Sequence, residues 1–308
     1  MTRTRVLRDG AEAARILLAG GIVALPTETV YGLAAVATDP VAVARVFAAK
    51  GRPADHPLIV HVDSPAMASR FGLMNDTAVR LAREFWPGPL TLLVERTPLA
   101  GDNITGGRDT VAVRMPADDR TLAVIRTCGE ALVAPSANSF GHVSPTTAQH
   151  VLLDLDGSID AVLDGGACAI GLESTIVDCT GDVQILRPGA VTRPDIERCL
   201  GVHVSEASGP SRAPGMLRSH YAPKCRVHLA VDAGDAANTA ASLAEGSGNV
   251  LVVGAGLDPT EYAARLYELL RQGDDPRVTD IVAVVPQGAG LEEAIRDRLL
   301  KAAADTTD

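Results

Sequence analysis

The chain has 308 residues, of which 46% are hydrophobic and 21% are charged, and its 28 Lys and Arg against 38 Asp and Glu give a formal net charge of -10. This length fits roughly two domains, and the composition excludes a mainly disordered protein. The acidic balance argues against a free-standing nucleic-acid binder, because such a protein needs an excess of cations to displace counterions from phosphates, and it favours work on small molecules.

The N-terminal segment has an amphipathic pattern, because Glu12 and Arg15 interrupt its apolar residues. A secretory signal needs a continuous apolar stretch instead. No later window reaches the roughly 20 uninterrupted apolar residues of a membrane helix. We therefore expect a cytoplasmic protein with no membrane partner. The five cysteines are scattered and never in CxxC spacing, so they predict neither a disulfide framework nor a metal site.

Residues 1–202 alternate helical and strand patterns, which predicts one large α/β domain with a mixed twisted sheet. The predicted helices cover residues 10–19, 40–50, 64–71, 76–86, 118–127 and 146–153. The predicted strands cover residues 22–25, 58–62, 90–94, 110–114, 131–134, 161–163, 175–178 and 183–186.

The pattern changes beyond residue 202. Residues 203–226 are rich in Ser, Pro and Gly and have no sustained period, so we interpret them as an inter-domain linker or an ordered crossing segment. Three strands alternate with three helices in residues 227–308, which predicts a small Rossmann-like domain with a parallel sheet. Gly254 and Gly256 follow a strand there, but Pro259 stands where the dinucleotide fingerprint needs a glycine, so a plain strand-to-helix turn is favoured.

Polar side chains recur at the ends of apolar strands and helices in the first domain. They form five groups: Thr27 with Thr29, Lys50 with Arg52, Thr110 with Arg114, Ser136 with Asn138 and Ser144, and Ser174 with Arg187. Hydroxyl, amide and guanidinium donors at strand ends suit polyanions. Each group alone is also explained by a turn that satisfies its own backbone, and Lys50 by favourable charge at a helix C-terminus.

Several catalytic motifs are absent from the sequence. It contains no GxxxxGK[ST] phosphate loop, no GxSxG elbow, no HExxH and no HxE with PCxxC, and none of its seven histidines is spaced from a Cys or Ser as a nucleophile and base would be. A site of cations and hydroxyls without a nucleophile favours a reaction in which one substrate attacks a bound nucleotide. The protein would then supply position and charge stabilisation.

Read in order, the segments PTETVYGL, KGRP, IVHV, FWPGPLTLL, TVAVRMP, APSAN, SPT, GLESTIVD and LRPG resemble the YrdC-like domain family. The segment SRAPGMLRSHYAPK, followed by a small α/β domain, is similar to the two-domain L-threonylcarbamoyladenylate synthases. The resemblance covers nearly the whole chain. It implies a YrdC-like catalytic domain over residues 1–202, a linker or lid over 203–226 and a small domain over 227–308.

The resemblance implies a nucleotidyltransferase that joins L-threonine, bicarbonate and ATP into threonylcarbamoyl-AMP and pyrophosphate. Partner proteins would then transfer the product to the adenosine beside the tRNA anticodon. Its threonine site would comprise Thr29, His61, Arg114, Ala134 and Ser174. Its ATP site would comprise Lys50, Arg52, His56, Thr110, Ser136, Asn138, Ser144, Arg187 and Tyr221.

Lys50 and Arg52 are the catalytic candidates, because the carbamate of threonine and the phosphates of ATP are both anionic and must be held together. Magnesium on the phosphates would assist this neutralisation. One position departs from the family pattern: His56 stands where we expect Asn in many relatives. An imidazole supplies only one of the two hydrogen-bonding functions of that amide at a time.

The linker carries Arg218, His220 and Tyr221, which are suited to contacting a nucleotide. We expect it to fold over the cleft as a lid, with Tyr221 at the ATP phosphates, and the alternative is a disordered tether. Two other functions stay open. An RNA-binding maturation protein with a locally basic cleft would bind RNA without ATP, and a carbamoyltransferase-like domain would use carbamoyl phosphate without threonine.

Overall fold

A computed structural model of the chain describes residues 3–206, 212–214, 221–245 and 248–304. In these residues, two sheets organise the fold: one of twelve strands in the first part of the chain and one of three strands in the second. Helices lie between the strands of both parts. The expected α/β class, with a large mixed sheet and a small parallel one, is confirmed.

The strands of the large sheet are β1 Arg5–Leu7, β2 Val23–Leu25, β3 Gly32–Val36, β4 Ile59–His61, β5 Gly72–Leu73, β6 Leu90–Arg96, β7 Thr110–Arg114, β8 Leu132–Val133, β9 Ala161–Leu163, β10 Thr175–Asp178, β11 Gln184–Arg187 and β12 Ser205–Glu206. The helices of this part are α1 Gly10–Leu18, α2 Pro40–Lys50, α3 Pro65–Phe71, α4 Asp76–Phe85, α5 Asp102–Thr105, α6 Asp119–Cys128, α7 Ala148–Leu155 and α8 Arg193–Leu200.

The second part consists of β13 Arg226–Ala230, α9 Ala233–Ala244, β14 Val250–Val253, α10 Pro259–Arg271, a 3-10 turn Gln272–Asp274, β15 Asp280–Val284 and α11 Leu291–Ala302. Its strands lie in the order β13-β15-β14, and both pairings are parallel. No helix in the part of the chain that the structure describes is both long and apolar enough to span a membrane.

The register of the large sheet brings polar residues to one edge. The strands lie in the order β1-β9-β2-β3-β8-β4-β7-β6-β10-β11-β12, with β5 beside β6. β4 is parallel to β7, which places His61 level with Arg114, and β6 is antiparallel to β7, which places Thr91 level with Arg114. β10 begins level with the start of β6. The same edge therefore receives side chains from four strands that are far apart in sequence.

The end of α2 is set by local signals. The Asp39 side chain accepts hydrogen bonds from the first-turn backbone, and Pro40 occupies the first turn. Gly51 ends the helix with φ of 63°, a left-handed conformation that glycine adopts without steric cost. The backbone changes direction at Gly51, so that Lys50 belongs to the helix and Arg52 to the segment that follows it.

The structure contains elements that the sequence pattern did not predict. They are the strands β1, β3, β5 and β12 and the helices α5 and α8. The most consequential is β3, because its sequence GLAAV is rich in Gly and Ala, which disfavour strands. All five of its residues are buried between β2 and β8, so tertiary pairing outweighs local propensity there.

One apolar core is shared by the two parts of the chain. Val30, Val143 and Leu172 from the first part pack with residues of α10 and α11, and Tyr221 lies in the same cluster. Gly254 lies at the turn before α10, where a Cβ would stand 2.3 Å from the Tyr262 ring. This close packing accounts for the glycine and agrees with the favoured interpretation of a strand-to-helix turn.

Candidate active site

A cleft opens at the sheet edge where β4 and β7 end. It encloses about 590 Å³ of empty space, including space open to solvent. Nine of the fourteen predicted site residues line it. They are Thr29, Arg52, His61, Arg114, Ala134, Ser136, Ser174, Arg187 and Tyr221.

Arg114 is the principal cation on one side of the cleft. Its Nη2 donates to Oε1 of Glu28 at 2.7 Å, and its Nε donates to the carbonyl oxygen of Gly88 at 3.3 Å. His61 lies beside it in the register of the sheet. Burial, together with the nearby Arg114 charge, lowers the pKa of His61 to about 3, so its imidazole is neutral at physiological pH.

Hydroxyl side chains also line the cleft. The Thr27 and Thr29 hydroxyls are 2.8 Å apart, and both side chains are buried. The Ser174 hydroxyl lies 2.7 Å from the Thr91 hydroxyl and accepts from Nη2 of Arg187 at 3.1 Å. Groups that can both donate and accept suit the hydroxyl and carboxylate oxygens of a small polar ligand.

Arg52 and Arg187 form a cationic side of the cleft. Burial and the charge of Arg187 lower the pKa of Arg52 to about 10, and burial lowers the pKa of Arg187 as well. Nη2 of Arg52 donates to the carbonyl of Pro57 at 2.9 Å, while its buried Nε has no hydrogen-bond partner among the described residues. Two neighbouring guanidiniums, of which Arg187 is buried and Arg52 is partly buried and incompletely bonded, fit an anionic ligand.

Lys50 is not among the residues that line the cleft, and its expected contact with the ligand stays a prediction. Its ammonium is buried and donates to the backbone carbonyls of Ser136, at 2.5 Å, and Asn138. Burial holds the pKa of Lys50 well below its usual value, and Arg52 lowers it further. Because a buried ammonium must find acceptors, Lys50 fixes the loop that carries Ser136 instead of standing free in the cleft.

Four other predicted residues also lie outside the lining of the cleft. Asn138 is buried and donates from Nδ2 to the carbonyls of Ser139 and His142. The Ser144 hydroxyl donates to Glu173 at 2.6 Å. The His56 ring packs against Phe140 at 5.3 Å between centroids. Thr110 begins β7, at the opposite end from Arg114, and lines a separate depression.

Tyr221 is a linker residue that lines the cleft, as is Pro214. It is 1% exposed, and its φ of 64° lies in the left-handed region that side chains rarely adopt. Its ring stacks on Tyr267 at 5.6 Å, and the Arg298 guanidinium lies 5.3 Å from its centroid. Burial raises the pKa of Tyr221 to about 12. Arg218 and His220, expected in the same lid, lie outside the described residues.

Glu173 is a cleft residue that the sequence did not single out. Its Oε1 accepts from Ser144, and its Oε2 accepts from Tyr267 at 2.6 Å and Arg298 at 2.8 Å. Burial opposes its ionisation, but the charges of Arg298 and Arg187 and the hydrogen bonds from Ser144 and Tyr267 together outweigh burial and lower its pKa to about 2. Glu173 and Glu28 could have been found from the sequence, because each is a charged residue inside a mostly uncharged motif. The motifs are GLESTIVD for Glu173 and PTETVYGL for Glu28. No local signal marked Tyr267 or Arg298.

Comparisons with known proteins agree with this architecture. A family model described as "Telomere recombination" matches residues 15–189, and one described as "Threonylcarbamoyl-AMP synthase, C-terminal domain" matches residues 191–304. The threonylcarbamoyl-AMP synthase of Bacillus subtilis is 40% identical over 95% of this chain and 92% of its own length. The enzyme of the same name from Pyrococcus abyssi is also 40% identical, over 94% of this chain and 92% of its own length.

A solved structure of a relative is similar to both parts of the chain. The crystal structure of Pyrococcus abyssi Sua5 complexed with L-threonine matches with a TM-score of 0.92 and 37% sequence identity, and the match covers 98% of each chain. The similarity thus extends from the large sheet through the three-stranded one. The chain belongs to the threonylcarbamoyl-AMP synthase family.

Proposed function

We propose that the cleft binds L-threonine and ATP and joins them with bicarbonate into threonylcarbamoyl-AMP and pyrophosphate. The observation that carries this function is the presence of two cationic groups in one cleft, Arg114 and the neighbouring pair of Arg52 and Arg187. One suits the carboxylate of an amino acid and the other suits a polyphosphate. The family relationship supports the same reaction, since the relatives carry its name.

The chemistry follows from the charges of the reactants. The amine of threonine combines with bicarbonate to give a carbamate and water, and a carbamate oxygen attacks the α-phosphorus of ATP while pyrophosphate leaves. Both reactants are anions, so the site must hold like charges close together. Arg52 and Arg187 neutralise the phosphates, and Arg114 binds the threonine carboxylate.

The other predicted residues are assigned by their positions. Thr29, His61, Ser174 and the backbone of Ala134 complete the threonine subsite, and Ser136 and Tyr221 lie toward the ATP subsite. Lys50, Asn138 and Ser144 support that subsite through their hydrogen bonds to its loops and to Glu173. His56 and Thr110 stay predictions.

Magnesium is proposed as part of the nucleotide substrate. In the described residues, no group of three or more His, Cys, Asp and Glu could hold a metal ion. Magnesium commonly binds through substrate phosphates and water and needs few protein ligands. When bound, it would neutralise part of the triphosphate charge beside Arg52 and Arg187.

We further propose the division of the chain into a catalytic domain at 1–202, a linker at 203–226 and a small domain at 227–308. The two sheets and the ranges of the two family models support this division. We also propose that the product passes to transfer proteins that modify tRNA, in the cytoplasm where ATP and threonine are available. The chain would then meet tRNA only indirectly.

Pyrophosphate release tests the function. Release should require ATP, L-threonine and bicarbonate together, because the attacking oxygen exists only after threonine and bicarbonate combine. Equal release without threonine would overturn the proposal. The two alternatives make different predictions: a carbamoyltransferase would turn over with carbamoyl phosphate and no threonine, and an RNA-binding protein would bind RNA in a salt-dependent manner without ATP.

A further inference from the structure

The guanidinium of Arg114 is held in one orientation before any ligand arrives. Nη2 is bonded to Glu28 and Nε to Gly88, whereas Nη1 has no hydrogen-bond partner among the residues that the structure describes. The Arg114 side chain is 5% exposed and lines the cleft. One N–H of Nε and one of Nη2 are therefore engaged with the protein, and the donors of Nη1 are left for a ligand.

Glu28 is itself fixed from several directions. Its Oε2 accepts from the backbone nitrogen of Ala117 at 3.1 Å, and its carbonyl oxygen accepts from the backbone nitrogen of Ile170 at 2.8 Å. The side chain is 12% exposed and is not among those lining the cleft. Glu28 thus ties Arg114 to the backbone that follows β7, from outside the lining of the cleft.

We propose that Glu28 is the positioning residue for the substrate carboxylate: it orients Arg114 so that Nη1 is presented to that carboxylate. This inference rests on the proposed function, since it assumes that Arg114 binds the carboxylate of threonine. Glu28 acts through Arg114 and does not touch the substrate. Its second effect is to neutralise a nearly buried cation, which would otherwise be costly to keep in the empty site.

The hydrogen bonds of Glu28 require a carboxylate. Both of its side-chain partners, Nη2 of Arg114 and the amide of Ala117, are donors, and each carboxylate oxygen accepts from one of them. A glutamine offers one oxygen and one NH2 group, so one donor would face another donor. The isosteric substitution therefore releases either Arg114 or the backbone beside it.

The test is the Glu28→Gln variant, assayed by pyrophosphate release. The KM for L-threonine should rise by about 10- to 100-fold, which is the change in affinity expected for the loss of one hydrogen bond to a charged group. The KM for ATP should change by less than about 3-fold. Glu293→Gln is the matched control, because Glu293 pairs with Arg193 at 3.0 Å away from the cleft. The control should keep the wild-type KM for both substrates.

A double-mutant cycle shows whether Glu28 acts through Arg114. In an Arg114→Lys background, which lacks the guanidinium fork, Glu28→Gln should raise the KM for threonine by less than about 3-fold. The same 10- to 100-fold rise in both backgrounds would overturn the inference, as would an unchanged threonine KM in the single variant. If Glu28→Gln does not fold, Glu28→Asp takes its place, because it keeps the charge but moves the carboxylate oxygens away from Arg114. The KM of this variant for threonine should rise while its KM for ATP does not. A normal KM for threonine would overturn the inference.

These outcomes are separate from those of the proposed function. Wild-type protein that releases pyrophosphate without threonine refutes the proposed function itself. Wild-type protein that needs threonine, together with a Glu28→Gln variant of normal threonine KM, refutes only the role of Glu28.

Discussion

The carboxylate of Glu173 and the guanidinium of Arg298, 125 residues apart in sequence, form an ion pair at 2.8 Å in the core that the two parts of the chain share. Arg298 lies on α11 and is fully buried, and Glu173 lines the cleft. Nη2 of Arg298 also donates to the carbonyl of Pro188, the residue after Arg187. The three-stranded part of the chain thereby contacts two segments, the one before β10 and the one after β11.

Replacing Arg298 should destabilise the protein strongly. Arg298→Met leaves the Glu173 carboxylate buried without its cation, so we expect the free energy of unfolding to fall by about 3–5 kcal/mol. Urea denaturation measures this. Arg265→Met on α10 is the control, since its pair with Glu261 is exposed and should contribute no more than about 0.5 kcal/mol. Equal stability of the two variants would contradict the prediction.

Replacing Arg52 should impair the reaction more than the fold. Arg52→Ala removes a guanidinium whose Nε is unsatisfied in the described structure, so we expect kcat/KM for ATP to fall by about 100-fold or more. The thermal midpoint should shift by only a few degrees. Arg83→Ala, at an exposed position of α4, is the charge-matched control and should keep wild-type kinetics. Near wild-type kcat/KM in Arg52→Ala would remove Arg52 from the ATP subsite.

Replacing Lys50 should affect stability and activity together. Lys50→Ala breaks the hydrogen bonds to the carbonyls of Ser136 and Asn138 and leaves buried acceptors without donors. We expect a loss of about 1–3 kcal/mol in unfolding free energy along with reduced turnover. Denaturation and pyrophosphate release measured on one preparation check this, with Arg52→Ala for comparison. Lost activity at full stability would show instead that Lys50 faces the ligand.

L-Serine should be a poor substitute for L-threonine. Val30 and Ile59 line the cleft beside its polar groups, and a single methyl group in an apolar contact is worth about 1–3 kcal/mol. We therefore expect kcat/KM for serine to be lower by about 10- to 200-fold. Competition between the two amino acids in the pyrophosphate assay measures this ratio. Equal values would exclude a contact to the threonine methyl group.

The pH dependence of stability should reflect His142. Hydrogen bonds to Asp154, at 3.3 Å, and Asp274, at 3.1 Å, raise the pKa of its imidazole from 6.5 to about 9. The charged form is therefore favoured in the folded protein. Its contribution is fully present below pH 6.5 and is lost as the pH rises through about 9, up to about 3 kcal/mol in total.

Denaturation at pH 6.5 and pH 9.5 tests this prediction. His142→Gln should lose less stability than the wild type over that interval, because it has no imidazolium to deprotonate. His203→Gln serves as the control, since the His203 side chain is 84% exposed, and it should follow the wild-type curve. Parallel curves for all three proteins would contradict a role for His142.

The sequence by itself determined the fold class and the kinds of groups in the site. Apolar periodicity predicted helices and strands such as α2 and β7. The spacing of apolar residues along an element reflects which of its faces is buried, so a local window is enough to detect it. Strand-end hydroxyls and cations indicated a polyanion site.

Only the tertiary structure decided how these groups are used. Lys50 and Arg52 are two residues apart, yet one bonds to a loop and the other lines the cleft. Glu28 and Arg114 are 86 residues apart, and Glu173 and Arg298 are 125 apart, so no local window contains either pair. Strand β3 forms from a Gly- and Ala-rich stretch because β2 and β8 enclose it. The free energy of a buried charge or a central strand depends on its neighbours in space, and these are fixed only when the whole chain has folded.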